Sequence, residues 1–243
     1  MRYWLVMPAA GAGQRFAADT PKQYAPLEGR TVIEWALAPF LADPRCAHVV
    51  VAIAPDDRGW ARLSARAAAA PGGRAPAVST VVGGEQRSHS VRRALAALEG
   101  RAGAEDWVLV HDAARPCLDS RDLARLLEQL AAHALGGLLA VPAADTLKRA
   151  QDAAPATPAR SVAQTVERSE LWRALTPQMF RYRRLCQALD AAHAGGRFPS
   201  DESQALEWLG EHPVLVEGAA SNLKITIAAD LPLAAAVLRA RHA

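Results

Sequence analysis

The stretch "VMPAAGAGQRFAADTPKQY", residues 6–24, runs from an apolar segment into a glycine-rich bend, then sets Arg15 and Lys22 seven positions apart. Its apolar part belongs to "YWLVMP" (3–8), which is short and proline-bounded and reads as a buried strand. A strand without polar alternation belongs in a sheet covered on both faces, with the bend at its carboxyl end. Gly11 and Gly13 let backbone N–H groups face an anion. Arg15 is two residues on, and Lys22 can return to the same place because Pro21 stiffens its approach. The commoner glycine loops do not fit. A dinucleotide fingerprint needs glycine or alanine where Phe16 stands, and the Gly-Lys-Ser/Thr of a P-loop is absent. A phosphate-facing turn remains, set against a structural turn with solvated cations.

The strand–bend pattern recurs. "HVVVAIA" (48–54), "VSTVVGG" (78–84), "WVLVHDA" (107–113) and "GLLAVP" (137–142) also read as buried strands. Between the strands lie helical patterns at 31–41, 57–70, 87–98 and 120–134, with a closing helix near 229–241. Thr31 and Glu34 have capping-box spacing, and Ser120 is a candidate N-cap. This alternation predicts an α/β fold, a Rossmann-like, doubly wound, mostly parallel sheet. Ligands then sit beyond the carboxyl ends of the strands, where "PAAGAG", "GGEQRSHS" and "HDAARP" collect. From 143 to 169 the sequence turns polar, with Pro155 and Pro158 between the strand-like "TLKRA" and "SVAQTV". It reads as a projecting β-arm, which commonly finds a partner chain.

At 243 residues and 51% apolar content the chain suits one domain spanning 1–243, with 143–169 as a dimerisation arm. A net charge of +3 with 5% aromatics argues against a nucleic-acid groove. No run approaches the roughly 18 apolar residues a membrane span needs, and no leader pattern opens the chain. A cytoplasmic protein without membrane contact is expected. Cys46, Cys117 and Cys186 are odd in number and far apart, which suits free thiols better than a disulfide or zinc framework. Of 28 basic residues only Lys22, Lys148 and Lys224 are lysine. Where arginine is preferred so strongly, these lysines are candidates for positions that need a compact ammonium.

"WVLVHDAARP" puts Asp112 just past a strand. A lone carboxylate near a phosphate loop suits Mg²⁺, which takes one or two carboxylates and completes its shell with substrate phosphates. The competing role is a turn cap or a partner for Arg115. His111 reads as a packing or hydrogen-bonding residue, with no partners for acid–base work. In "GGEQRSHSV", Gly83 and Gly84 open the backbone and Ser90 can bond a base or ribose, while Ser88 or Ser90 equally suits a helix cap. "NLKIT" sets Lys224 in an apolar strand, so a carboxylate or a bound anion must lie nearby.

Taken in order, "PAAGAGQR", "PKQY", "GGEQRSHSV", "HDAARP", "DTLKR", "TVER", "LTPQ", "SDESQALE" and "VEGAASNLKIT" resemble the 2-C-methyl-D-erythritol 4-phosphate cytidylyltransferase family, over about residues 3–240. The resemblance implies CMP transfer from CTP to 2-C-methyl-D-erythritol 4-phosphate, a polyol phosphate, in the non-mevalonate isoprenoid route. The substrate phosphate would attack the CTP α-phosphorus in line and release pyrophosphate. It implies a CTP site at Pro8, Ala9, Ala10, Gly11, Ala12, Gly13, Arg15 and Lys22, with Gly84, Glu85 and Ser90 near cytidine. Asp112, Ala113 and Arg115 would complete that site, Asp112 facing Mg²⁺ and ribose. Asp112, Thr146, Arg168, Thr176, Ser200 and Lys224 would hold the alcohol phosphate, with Arg168 crossing from the other subunit of a homodimer. Catalysis would rest on Arg15, Lys22, Arg168 and Lys224. Ser200 stands where the family pattern has threonine, and Phe16 where an aliphatic residue is usual. Two readings stay open beside this one: a cytidylyltransferase for another polyol phosphate such as ribitol 5-phosphate, and a non-catalytic nucleotide-binding regulator.

Overall fold

The computed structural model describes residues 1–11, 16, 20–68, 76–151 and 159–242. The main sheet holds β1 (Tyr3–Pro8), β4 (Cys46–Ile53), β5 (Ala77–Val82), β6 (Trp107–Val110), β7 (Gly136–Pro142), β10 (Trp172–Arg181) and β11 (Val214–Glu217). Two ribbons stand apart from it, β2 (Pro26–Leu27) with β3 (Arg30–Thr31), and β8 (Leu147–Ala150) with β9 (Val162–Val166). The sheet order is β11-β7-β10-β6-β1-β4-β5. β1 pairs in parallel with β4 and β6, β4 with β5, and β7 with β11, while β10 runs antiparallel between β6 and β7. The five expected strands are all present, but β5, expected to be buried, is an edge strand with Val78 and Val82 exposed. The antiparallel β10 was hidden in "ELWRAL" and "TPQMF", where Pro177 breaks the strand pattern.

Alternation along the central strands sorts side chains to two covered faces. Tyr3, Leu5 and Met7 of β1, with Val49 and Val51 of β4, pack with Ile33, Ala36, Leu37 and Phe40 of α1 (Val32–Leu41). The same core takes Leu123, Leu126 and Leu127 of α4 (Ser120–Leu130). Val6, Val50, Ala52, Val108 and Val110 turn the other way. They meet Val91, Ala94 and Leu95 of α3 (Arg87–Ala96), with α5 (Tyr182–Ala194) and α6 (Glu202–Glu207). Helix α2 (Arg58–Ala68) follows β4, and α7 (Asp230–His242) packs Ala234 and Leu238 on Val32, Leu27 and Ile225. Gly136 and Gly137 let the strands close: a Cβ at Gly137 would lie 2.1 Å from the Val214 carbonyl oxygen.

Helix α1 starts with the expected capping box, the Thr31 amide and hydroxyl both donating to Glu34 Oε2 at 2.7 Å. Three local expectations are corrected. Helix α4 is capped by Asp119, whose carboxylate accepts the Arg121 amide at 2.8 Å, so Ser120 is its first helical residue. Helix α3 has Gln86 at its N-cap without a side-chain bond, so neither Ser88 nor Ser90 caps it. Residues 222–226 form no strand; several contacts tie that segment to the turn after β6, among them the Ile225 amide donating to Ala114 O at 2.8 Å.

The β8–β9 ribbon lies where the arm was expected, and both strands are exposed almost throughout. Pro155 and Pro158 fall outside the described residues.

Candidate active site

Three strand ends and one distant segment meet beyond the sheet. β1 ends at Pro8, and the Ala9 amide donates to Ala52 O at 2.7 Å, carrying the chain over the neighbouring strand. Gln23, buried in the short helical turn Lys22–Tyr24, donates from Nε2 to Ala9 O at 2.8 Å and to Gly11 O at 3.4 Å. That side chain clamps the start of the glycine bend from below and keeps Lys22 beside it. Past β5, Gly83 packs against the same bend: a Cβ there would stand 2.4 Å from Ala10 Cβ. Ser90 Oγ accepts the Gly84 amide at 3.1 Å, so its hydroxyl holds the turn.

The cleft these turns enclose has a volume of about 850 Å³. Pro8, Ala9, Ala10, Gly11 and Lys22 line one wall. Gly84, Glu85, Gln86, Arg87 and Ser90 line another, and Asp112, Ala113, Ala114, Lys224 and Thr226 close it. Of the three lysines singled out by composition, Lys22 and Lys224 share this cavity, while Lys148 lies on exposed β8 and donates to Thr165 Oγ1 at 2.7 Å. Ala12, Gly13 and Arg15 lie outside the described residues.

Asp112 is the electrostatic centre. Its side chain is 9% exposed, with Arg87 Nε 3.0 Å from Oδ1, Lys224 Nζ 2.8 Å from Oδ2 and Arg115 Nε 3.6 Å from Oδ2. Burial alone would push this carboxyl up, but Arg87, Lys224 and Arg115 overcome that and hold it well below the usual carboxylate range. Its place is set from below. The Asp112 amide donates to Thr176 Oγ1 at 3.1 Å, and Thr176 also bonds His111 Nδ1 at 2.9 Å. Thr176 reaches this position because residues 175–177 bulge out of the β10–β7 ladder, three residues facing Leu139 alone. His111 is fully buried and pushed down to about 4 by that burial, so its ring is neutral and structural, the packing and hydrogen-bonding role expected of it.

Lys224 is not enclosed in an apolar strand. Its side chain is 40% exposed, and the carboxylate its position demanded is Asp112. Arg115 sits behind the cleft, donating from Nη1 to Asn222 O at 2.8 Å, and Asn222 in turn donates to Thr176 O at 2.7 Å. Thr176 lies beneath the cleft floor, buried. Thr146, Arg168 and Ser200 are exposed and outside the cleft lining. Arg168 Nη1 donates to Ala143 O at 3.2 Å at the base of the arm.

Three residues of this site carried no role in the sequence reading. Gln23 was quoted inside "PKQY", Arg87 inside "GGEQRSHSV" and Glu202 inside "SDESQALE". Arg87 donates to Glu202 through Nη1 at 2.6 Å and Nη2 at 3.1 Å, and Glu202 is 1% exposed. A buried carboxylate needs a buried cation, but nothing in linear spacing joins positions 87 and 202.

Among the described residues no group of three or more His, Cys, Asp or Glu side chains is placed to hold a metal. No described helix is long and apolar enough to cross a membrane.

Comparison with known proteins agrees over the whole length. The family model described as 2-C-methyl-D-erythritol 4-phosphate cytidylyltransferase (IspD) matches residues 3–240. A protein of that name from Halorhodospira halophila is 51% identical over 245 residues, covering 100% of this chain and 96% of its own. One from Ectopseudomonas mendocina is 50% identical, covering 95% of this chain and 93% of its own. The crystal structure of the Francisella tularensis 2-C-methyl-D-erythritol 4-phosphate cytidylyltransferase superposes with a TM-score of 0.77 at 32% identity, over 98% of this chain and 100% of that one. With a full-length family match, and relatives near half identity across the same span, this chain belongs to the 2-C-methyl-D-erythritol 4-phosphate cytidylyltransferase family.

Proposed function

We propose that the chain transfers CMP from CTP to 2-C-methyl-D-erythritol 4-phosphate, releasing pyrophosphate, as the names of its relatives indicate. The observation that carries this reading is the meeting of Lys22, Lys224 and Asp112 in one cleft beside a glycine bend. Joining two phosphorylated polyanions needs no protein nucleophile. The substrate phosphate attacks the CTP α-phosphorus, pyrophosphate leaves in line, and negative charge grows on the equatorial and leaving oxygens. Catalysis is therefore positioning plus fixed positive charge. Lys22 beside the glycine bend suits the triphosphate. Lys224, half-exposed beside Asp112, suits the incoming phosphate. Ala10, Gly11 and Gly84 leave the backbone open to nucleotide.

The Asp112 carboxylate fits Mg²⁺ in the manner of a site with one protein carboxylate and substrate phosphates as further ligands. Such an ion, when bound, supplies charge neutralisation on the triphosphate. Asp112 would hold it, Arg87 and Thr176 keep Asp112 in place, and Lys224 stays within reach of the same substrate oxygens. Arg15 is assigned to the triphosphate by family resemblance.

The arm is read as a dimerisation element. Leu147 on β8, Val162 on β9 and Leu171 and Trp172 at the foot of β10 are exposed apolar side chains. By the family resemblance, Arg168 of a second copy would reach this cleft, whose lining lacks the chain's own Arg168. Sedimentation should give a dimer, and a Val162→Asp change should shift it towards monomer with loss of turnover. A wild-type chain that stays monomeric at assay concentration refutes this assignment.

The function is tested by pyrophosphate release with CTP, UTP and ATP against methylerythritol phosphate and ribitol 5-phosphate. Turnover is expected with CTP and methylerythritol phosphate, dependent on Mg²⁺. Preference for ribitol 5-phosphate would move the substrate assignment, and CTP binding without pyrophosphate release would make the chain a nucleotide-binding regulator.

A further inference from the structure

Glu202 is the first residue of α6, almost wholly buried, and does not line the cleft. Its carboxylate takes two bonds from Arg87, and the third nitrogen of that guanidinium bonds Asp112. Both carboxylates therefore share one fork, which only the planar, five-donor guanidinium supplies in fixed geometry. The far end is pinned as well. Gln178 of β10 donates from Nε2 to Asp201 at 3.0 Å and accepts the Ser203 amide at 2.9 Å, so the first turn of α6 is bolted to the sheet on both sides of Glu202.

We propose that Glu202 and Arg87 are positioning residues: a strut, anchored at the buried Glu202 of α6, that fixes the Asp112 carboxylate in the orientation the cleft uses. This inference rests on the transferase reading above. The geometry supports a strut over a passive ion pair in two respects. Arg87 spends one nitrogen on Asp112 although Glu202 alone could neutralise it. That nitrogen, Nε, is the least mobile on the side chain, so the bond it makes fixes direction as well as charge. Lys224 holds the other oxygen of Asp112 from the solvent side at 2.8 Å, with its own side chain free to rearrange. Of the two bonds, the inner one from Arg87 is the one that persists when a phosphate draws Lys224 away.

The test is a double-mutant cycle on turnover. Arg87→Lys keeps the charge but cannot span both carboxylates. It is expected to lower kcat at least tenfold, with KM for CTP and for the polyol phosphate within about threefold, in protein that melts as one folded species. In an Asp112→Asn background the same change is expected to cost less than about twofold, because a residue acting through Asp112 has nothing left to act on. Equal losses in both backgrounds, or a loss confined to KM, overturn the strut. If Arg87→Lys does not fold, Glu202→Gln replaces it in the same cycle. The amide still accepts from Arg87 and buries no unpaired carboxylate, and a folded Glu202→Gln with wild-type kcat refutes the proposal. Wild-type turnover, measured first, tests the function separately. Independently of turnover, crystals of Arg87→Lys should show the Asp112 carboxylate rotated from its wild-type place, and an unmoved Asp112 counts against the strut.

Discussion

Replacing Asp112 with asparagine separates what this carboxylate does for the fold from what it does for the reaction. It removes the shared partner of Arg87, Arg115 and Lys224 while keeping the side chain's size. The three cations do not suffer alike. Arg87 keeps its two bonds to Glu202, and Lys224, 40% exposed, can turn to water. Arg115 has no such escape: its side chain is 11% exposed, and its remaining bonds go to the Asn222 and Ala174 carbonyls. Breaking a buried ion pair by removing one partner costs about 3–5 kcal/mol. With one of three cations stranded and asparagine still accepting a bond, the lower end, about 3 kcal/mol, is expected. For a chain of this size 1 kcal/mol moves Tm by about 2–4 °C, so the melting point should fall by about 6–12 °C. Turnover should fall by at least 10²-fold, as for losing an electrostatic anchor of the transition state.

Lys224→Met is the control. Asp112 keeps Arg87 and Arg115, and the lost ammonium is itself 40% exposed, so the loss should be about 1 kcal/mol, the upper end for an exposed pair. Tm should drop by no more than about 4 °C while turnover falls about 10²–10³-fold. Differential scanning calorimetry beside pyrophosphate release reads both quantities. The reasoning is refuted if Asp112→Asn melts within 1 °C of wild type, or if Lys224→Met is the more destabilised of the two.

Lys22→Ala should fold normally and lose about 10²–10³ in turnover, and near-normal turnover would remove Lys22 from the reaction. Gly83→Ala places a Cβ 2.4 Å from Ala10 Cβ and 2.8 Å from Ser90 Oγ, so the glycine bend must shift. Overpacking there should cost about 1–3 kcal/mol in chemical denaturation and raise KM for CTP, and an unchanged KM would show that the bend does not seat the nucleotide. Asp119→Ala removes the α4 cap and should cost about 1 kcal/mol at neutral pH. The Arg121 side chain first, then the Arg121 amide and Arg241, lower the Asp119 carboxyl from 3.8 to about 2 against the upward push of burial. A lowered carboxyl stabilises above its unfolded pKa and loses that stabilisation as pH falls through the folded value. The gap between wild type and Asp119→Ala should therefore narrow between pH 3.8 and about 2, and a gap that widens on acidification would refute the charge assignment.

The sheet was legible because its strands are short, apolar and bounded by breakers, and the cleft because glycine bends and lone polar residues follow those strands. Strand β10 was not legible. Pro177 and the bulge over residues 175–177 interrupt the period that strand recognition depends on, yet that bulge is what delivers Thr176 to the Asp112 amide. The cap of α4 was misplaced by one residue because serine and aspartate adjoin there and both cap well. The ion pair of Arg87 with Glu202 was unreadable for a different reason. Each residue looks like an ordinary surface charge until the fold buries Glu202, and burial is a property of packing rather than of spacing.

That difference explains how the site can be charged without being unstable. Clustering cations to receive polyanions sets them against one another before substrate arrives, and a buried carboxylate at their centre offsets the repulsion. Asp112 fills that place among Arg87, Arg115 and Lys224, and Glu202 adds a second carboxylate, which keeps Arg87 compensated on its inner side. Of the three cations around Asp112, Lys224 alone has substantial solvent access. It can turn to an incoming phosphate while Arg87 and Arg115 continue to balance the carboxylate. A lysine suits that post because a compact ammonium on a flexible stem changes partners more readily than a bidentate fork. In a sequence that uses arginine almost everywhere else, Lys224→Arg should therefore keep the stability of the cluster and still lose turnover. Full activity in that variant would mean that charge alone, and not the exchange of partners, is what the position requires.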